Sequence, residues 1–341
     1  MGLFKRRGRG ATAVAEPPAT IEGLLAEIKR LTEANRSGRD REIERRLLAL
    51  RHLAGVRLTE SDAAAAYPAA DYASLPNGGG LPEIAPGELT PGLLRAGILR
   101  DGCVLVRGLV DREAALALAA QIDRVFEARA AFEAGSRSAP GYYEEFDPPE
   151  TRFQVASVRP WIRDGGGVLA GDSPMVTYEM LELFASAGLT RLVGEYLGEP
   201  PLLSVHKTTL RKAEPVPGGA WHQDGAFMGD VRALNLWLSL SRCGDVAPGL
   251  DILPRRLDGF VTAQTDEAVL SYQVSQQKAE EAAGDRRILR PVFEPGDALF
   301  FDELLLHQTA SDPSMPHPRY AIENWFFGGS AFPGDYAPLA V

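Results

Sequence analysis

From residue 200 to the C-terminus the chain is a succession of short apolar runs cut by turn residues, and this pattern limits the fold more than any other feature. Ala233 to Leu240 alternates cleanly: Leu234, Leu236, Leu238 and Leu240 face one way, Asn235, Trp237 and Ser239 the other, which is the period of a strand. Leu202 to Leu210, Leu250 to Leu253, Arg290 to Phe293, Ala298 to Phe301, Leu304 to Thr309 and Tyr320 to Phe327 read as further strands, with a turn at Pro295-Gly296-Asp297. Many short strands separated by turns argue for a sandwich or jelly roll. The 35 glycines and 25 prolines fit such a turn-rich chain better than a helical bundle.

The first half is of another kind. Residues 1–19 read as a flexible tail whose basic start, MGLFKRRGRG, runs into prolines too soon for a secretory signal. Arg6 stands where a myristoylation site needs Ser or Thr. Ile21, Leu24, Leu25, Ile28 and Leu31 recur at helical spacing, with Thr20 as N-cap. A second helical run carries Ile43, Leu47, Leu48 and Leu50, and Asn35 to Gly38 separates the two. This pair leaves room for a homo-oligomer or a docking element. Residues 66–92 read as linker, so the expected division is tail 1–19, helical extension and linker 20–92, and main domain 93–341. In that domain Gly102 to Leu109 reads as a strand, Asp111 caps a helix through Ile122 and Val125, and a helix over about 178–197 stops at Gly198.

Composition excludes more than it assigns. With 45% hydrophobic and 24% charged residues, the 341-residue chain can bury a sizeable core. A formal charge of −10 disfavours nucleic acid as partner. No apolar run is long enough to span a bilayer. Two cysteines, Cys103 and Cys243, make no disulfide framework and fit a reducing, cytoplasmic setting.

The chemistry concentrates in Trp221-His222-Gln223-Asp224-Gly225. On an extended strand, residues two apart project to one face, so His222 and Asp224 can share a metal. His307, beyond the apolar run Phe300 to Leu306, is the best candidate for a third ligand. Two histidines and one carboxylate on one face form a facial triad with open positions. Arg319 begins the last long strand, expected beside the one carrying His307, and can form a bidentate pair with a carboxylate. On the strand before the motif His206 could line a pocket and Lys207 could meet an anionic substrate, but a structural or solvated role is the plainer reading of both. His52 reads as surface, and Asp302-Glu303 as a solvent-exposed turn.

The literal His222-Gln223-Asp224, Trp237 between leucines, the run Gly244 to Pro254, the run Pro295 to Phe301 ahead of His307, and the early Asp101 to Leu109 together resemble the phytanoyl-CoA dioxygenase family, over roughly residues 93–330. The resemblance implies a mainly β fold with flanking helices (α+β): a double-stranded β-helix, cupin-like, here with an N-terminal helical extension. It also implies an oxygenase using iron(II), 2-oxoglutarate and O2 on a small-molecule substrate, with His222, Asp224 and His307 as ligands. Arg319 matches the arginine that pairs with the far carboxylate of 2-oxoglutarate, and Trp237, Thr208 and Arg152 fall where the family contacts that cosubstrate. The expected outcome is hydroxylation of an unactivated C–H bond with release of succinate and CO2. Desaturation, epimerisation and ring formation stay open, as does a non-catalytic module that merely retains the motif. The intact Asp224 argues against halogenating relatives. Pro254-Arg255-Arg256-Leu257 departs from the family pattern at the mouth of the site, where substrate is chosen.

Overall fold

The computed structural model describes residues 16–60, 65–76, 80–136, 141–268 and 270–341. Most of the expected tail, 1–15, lies outside them. In chain order the elements are α1 (Ile21–Ser37), α2 (Arg41–Leu58), β1 (Glu83–Ile84), α3 (Pro91–Asp101), β2 (Cys103–Val106), α4 (Arg112–Glu133), α5 (Val155–Asp164), β3 (Gly167–Leu169), α6 (Pro174–Ser186) and α7 (Leu189–Leu197). Then follow β4 (Pro201–Ala213), α8 (Gly225–Met228), β5 (Ala233–Ser239), β6 (Gly249–Ile252), α9 (Gln276–Ala283), β7 (Ala298–Phe301), β8 (His307–Ala310), β9 (Arg319–Gly328) and β10 (Pro338–Ala340).

Two sheets face one another. The large one runs β1-β2-β7-β5-β9-β4-β10, with β3 paired to β4 off this path. The small one is β6 with β8. Isolated bridges widen it: His222 joins His307, Trp221 joins Val274, and Ile252 joins Leu289. The alternation of β5 survives as predicted, but both of its faces are buried. Leu234, Leu236 and Leu238 pack under the helices, against residues such as Ile122 of α4, Phe184 of α6 and Val193 of α7. Trp237 packs the other way, with Phe293, Leu299 and Ile252 between the sheets. Each such side chain, fully buried, contributes about 1.5–3 kcal/mol. The result is a sheet-dominated α+β architecture.

Caps form where polar residues precede the helices. Thr20 accepts from the Gly23 N–H, and Asp111 accepts from those of Glu113 and Ala114. The turn at Gly296 has φ +99°, and a Cβ there would meet Val110 O at 2.3 Å, so glycine is required. The α1–α2 pair packs its apolar stripe, including Leu24, Leu31 and Leu47, on Tyr178 of α6, Leu202 of β4 and Ala340 of β10.

Several expectations need correction. The helix expected over 178–197 is two helices, broken at Gly188 in the left-handed region. Arg290 to Phe293 makes a single isolated bridge, Phe293 with Cys243, and Leu304 to Leu306 is a turn held by Asp302, whose Oδ1 accepts the Leu304 N–H. The strand of Arg319 does not neighbour that of His307: β9 pairs with β4 and β5, β8 with β6, so the two residues reach the same cavity from different sheets. His52 is buried, not on the surface, because β10 covers it; its Nδ1 lies 3.0 Å from Pro338 O and its Nε2 3.2 Å from Glu150. Asp302 is buried and paired with Arg256 rather than exposed.

A candidate metal centre between the two sheets

His222 and His307 meet through their backbones. The His222 N–H donates to His307 O at 3.0 Å, and the His307 N–H returns the bond at 3.1 Å. This reciprocal antiparallel pair sets the two imidazoles side by side, ring centroids 4.4 Å apart. Each ring is then fixed the same way. His222 Nδ1 donates to Ala220 O at 2.7 Å, and His307 Nδ1 donates to Leu305 O at 3.1 Å. A carbonyl only accepts, so both protons sit on Nδ1 and both Nε2 lone pairs are free to ligate.

Asp224 arrives differently from the expectation. The chain leaves its extended path after His222, and Asp224 is in the right-handed helical region (φ −61°, ψ −30°), opening α8. Gln223 makes this bend rigid: its amide donates to Gly259 O and Leu304 O and accepts the Val261 N–H. Asp224 Oδ2 thereby stands 3.8 Å from His307 Nε2. One ligand atom from each of the three residues fits within 4.8 Å of the others. Burial, and then the nearby His222, push His307 down to about 4, while Asp224 pulls the other way. His307 is therefore a neutral donor near pH 7. Two imidazoles and one carboxyl group converging on one point suit a divalent metal with open positions.

The three residues border a cavity of about 380 Å³ between the sheets. Arg319 lies in its wall, only 3% exposed. Its guanidinium sits 5.5 Å over the Trp237 ring, and Nη1 donates to Gly249 O. Nε has no partner, and no carboxylate pairs with Arg319 among the described residues. Burial lowers its pKa, so the charge stands uncompensated. Glu323, in the same wall, is already committed: burial alone would raise it, but Arg211, bonded at 2.9 Å, brings it down to about 2.

Of the expected cosubstrate contacts, Trp237 lines the cavity and two others do not. From β4, His206, Lys207, Thr209, Arg211 and Ala213 line the cavity, whereas Thr208 is buried and does not. Arg152 is exposed and stacks on Phe153, 4.4 Å from its ring, away from the cavity. The sequence reading missed Arg211, Glu323, Tyr272 and Trp161, all of which line it. No local signal marked them: the bulge in β4 breaks its period, and Trp161, Tyr272 and Glu323 come from other parts of the chain. Lys207, read as solvated, is in the wall as well.

The phytanoyl-CoA dioxygenase family model matches residues 98–315, most of the chain and the whole triad. The chain belongs to the phytanoyl-CoA dioxygenase family. It is accordingly a 2-oxoglutarate-dependent dioxygenase whose cofactors are iron(II), 2-oxoglutarate and O2. No curated protein matches it by sequence. Similar solved structures include EctD from S. alaskensis with 2-oxoglutarate and 5-hydroxyectoine, at 18% identity over 70% of this chain and 77% of that one, TM-score 0.49. AviO1 from Streptomyces viridochromogenes Tue57 is 16% identical over 72% and 98%, TM-score 0.44. The epimerase SnoN, solved with iron, α-ketoglutarate and nogalamycin RO, is 16% identical over 70% and 83%, TM-score 0.42. The family match, not these distant likenesses, carries the assignment.

Proposed function

We propose that this dioxygenase hydroxylates an unactivated C–H bond of a small molecule, and that its two facing sheets are a double-stranded β-helix with the metal at one mouth. The observation that supports this best is the pairing, in one cavity, of the converging triad with a buried arginine that has no carboxylate partner among the described residues. His222, Asp224 and His307 hold the iron. The Nδ1 bonds to Ala220 and Leu305 keep both rings aimed at the point where a metal would be held. Arg319 takes the far carboxylate of 2-oxoglutarate, which satisfies its orphaned donor, and the Trp237 face fixes its height. Bound iron, with 2-oxoglutarate and O2, supplies the oxidant, releasing succinate and CO2. Phe301 and Leu250 line the cavity beside the triad and keep bulk water from the reacting carbon.

The same reading treats residues 93–341 as the catalytic domain and 20–92 as an extension docked on it, α2 against β10 and β1 against β2. Cys103 and Cys243 are free and buried, in keeping with a cytoplasmic setting, and no helix among the described residues is long and apolar enough to cross a membrane.

The test is succinate formation by purified protein with iron(II), ascorbate and 2-oxoglutarate, set beside iron and 2-oxoglutarate binding by calorimetry. Wild type binds both and releases succinate; His222→Ala does neither. A folded wild type that binds no iron and no 2-oxoglutarate would be a non-catalytic module, and this reading would be abandoned.

A further inference from the structure

The cavity holds a second cation that the proposed chemistry leaves unused. β4 does not run evenly beside β9: between the pairs Leu203↔Phe326 and Thr208↔Asn324, five residues of β4 pass while β9 advances two. Such a bulge re-aims side chains. The segment before β10 holds it in place. The Val205 N–H donates to Ala337 O at 2.9 Å, the Ala337 N–H donates to His206 Nδ1 at 3.1 Å, and the His206 ring stacks on Tyr336 at 5.1 Å. The outcome is that Lys207 projects into the cavity.

Its ammonium lies among aromatic faces. Nζ is 3.9 Å from the centre of Phe227, 5.9 Å from Trp161 and 6.0 Å from Tyr336. These rings hold the cation in place but do not neutralise it. It has no hydrogen bond and no ion pair among the described residues. The two carboxylates that attract it, Asp224 and Glu323, are engaged elsewhere, one with the metal and one with Arg211. Burial works against the charged form, so an anion brought alongside gains more here than at a surface.

Lys207 and Arg319 serve opposite ends. Arg319 pairs with Ala213 across β4 and β9, six residues along from Lys207, or about 20 Å of strand at 3.3 Å per residue. One end can take the far carboxylate of 2-oxoglutarate while the other stays free. We propose that Lys207 is a specificity-determining residue: it binds a carboxylate of the primary substrate, so the enzyme's substrates are carboxylic acids with an apolar or aromatic body. The inference rests on the oxygenase reading of the same cavity. The apolar body packs against Phe227 and Tyr272, which stand 5.4 Å apart edge to face beside His222.

The test is anaerobic calorimetry on the full-length protein loaded with iron(II) and saturating 2-oxoglutarate. Saturation fills the Arg319 end, so further carboxylate binding reports the other end. The probes are benzoate, phenylacetate and 3-phenylpropionate, each set against its neutral amide. Wild type is expected to bind at least one acid about tenfold or more tightly than its amide. Lys207→Met removes this preference, Lys207→Arg keeps part of it, and both hold 2-oxoglutarate within about twofold of wild type. Equal binding of acids and amides, or no binding of any acid, overturns the proposal. So does a Lys207→Met protein that keeps the acid preference but loses 2-oxoglutarate, since Lys207 would then belong to the cosubstrate. Wild type that fails to take up iron or 2-oxoglutarate at all overturns the oxygenase reading itself, a different result from normal loading without acid preference.

Discussion

The α1–α2 pair and the cavity wall both bury charge, and they treat it in opposite ways. Around the helices cations meet anions: Arg39 pairs with Glu44 and Glu179, Arg45 with Glu144 and Glu42, Arg36 with Glu182. Glu44 is as deep as anything in the cavity, its side chain 1% exposed, yet one of its oxygens receives both Arg39 and Asn35. In the cavity Arg319 has only a backbone carbonyl, and Lys207 has only rings. Depth alone therefore does not separate structure from function in this molecule. An ion pair made within the chain holds two elements together, whereas the two cations of the cavity wall stand ready for an anionic ligand.

The largest effect expected from breaking this contrast is at the metal. Asp224→Ala removes the anionic member of the triad, and iron(II) affinity should fall by more than the roughly 10–100-fold that losing a ligand's hydrogen-bond partner costs. Metal content after dialysis measures it. Iron retained at wild-type stoichiometry would place the metal elsewhere.

Arg319→Met comes next, and it should separate binding from stability. Truncating one side of a buried charge pair costs about 2–5 kcal/mol, so 2-oxoglutarate should bind at least about thirtyfold more weakly. The ligand-free protein should at the same time unfold at a higher temperature, because the substitution removes an uncompensated charge. A lower melting temperature would mean that Arg319 is structural after all.

Acid should reveal His206. Burial lowers it to about 4, with Asp335 opposing and Lys207 adding to the fall, and its neutral Nδ1 accepts the Ala337 N–H. The unfolded chain takes up this proton below about pH 6.5, while the folded chain resists until about pH 4. Its contribution to stability is thus complete above pH 6.5 and lost as pH falls towards 4. Over that window His206→Gln should flatten the pH dependence by about 1.4 kcal/mol per pH unit, the share of one proton. An unchanged slope, read by denaturant titration of metal-free protein, would remove His206 from the account.

How much of this was legible beforehand follows from how local each signal is. The His-x-Asp pair and the β5 alternation are written within a few residues, and both could be read. The inward set of β4 could not, because the bulge between Leu203 and Thr208 breaks the period just upstream of Lys207, leaving the choice of face to tertiary contacts. Thr208, expected at the cosubstrate from the family resemblance, is not among the residues that line the cavity. His52 was placed outside because its helix is heavily charged, while its burial is decided by Pro338 at the far end of the chain. Leu304 to Leu306 has a strand's composition, but Asp302 caps it into a turn. Arg152 was expected at the cosubstrate from the family resemblance alone, without a spacing or strand period behind it, and it packs on its own neighbour Phe153.

The smallest effects belong to the helices, and there the contrast can be sharpened within one region. Arg39 and Arg36 are both about half exposed, at 40% and 54%, and both ion-pair. Their partners differ: Glu182 keeps 26% of its surface, Glu44 only 1%. If an unfinished partner is what matters, Arg39→Met should cost about 1–2 kcal/mol, since it strands part of a buried carboxylate that Asn35 alone must then satisfy. Arg36→Met should cost less than about 0.5 kcal/mol, because water reaches Glu182 at once. Equal losses in chemical denaturation would show that exposure of the arginine, and not burial of what it completes, sets the value of these pairs; the inference from incomplete partners to ligands in the cavity would weaken with it.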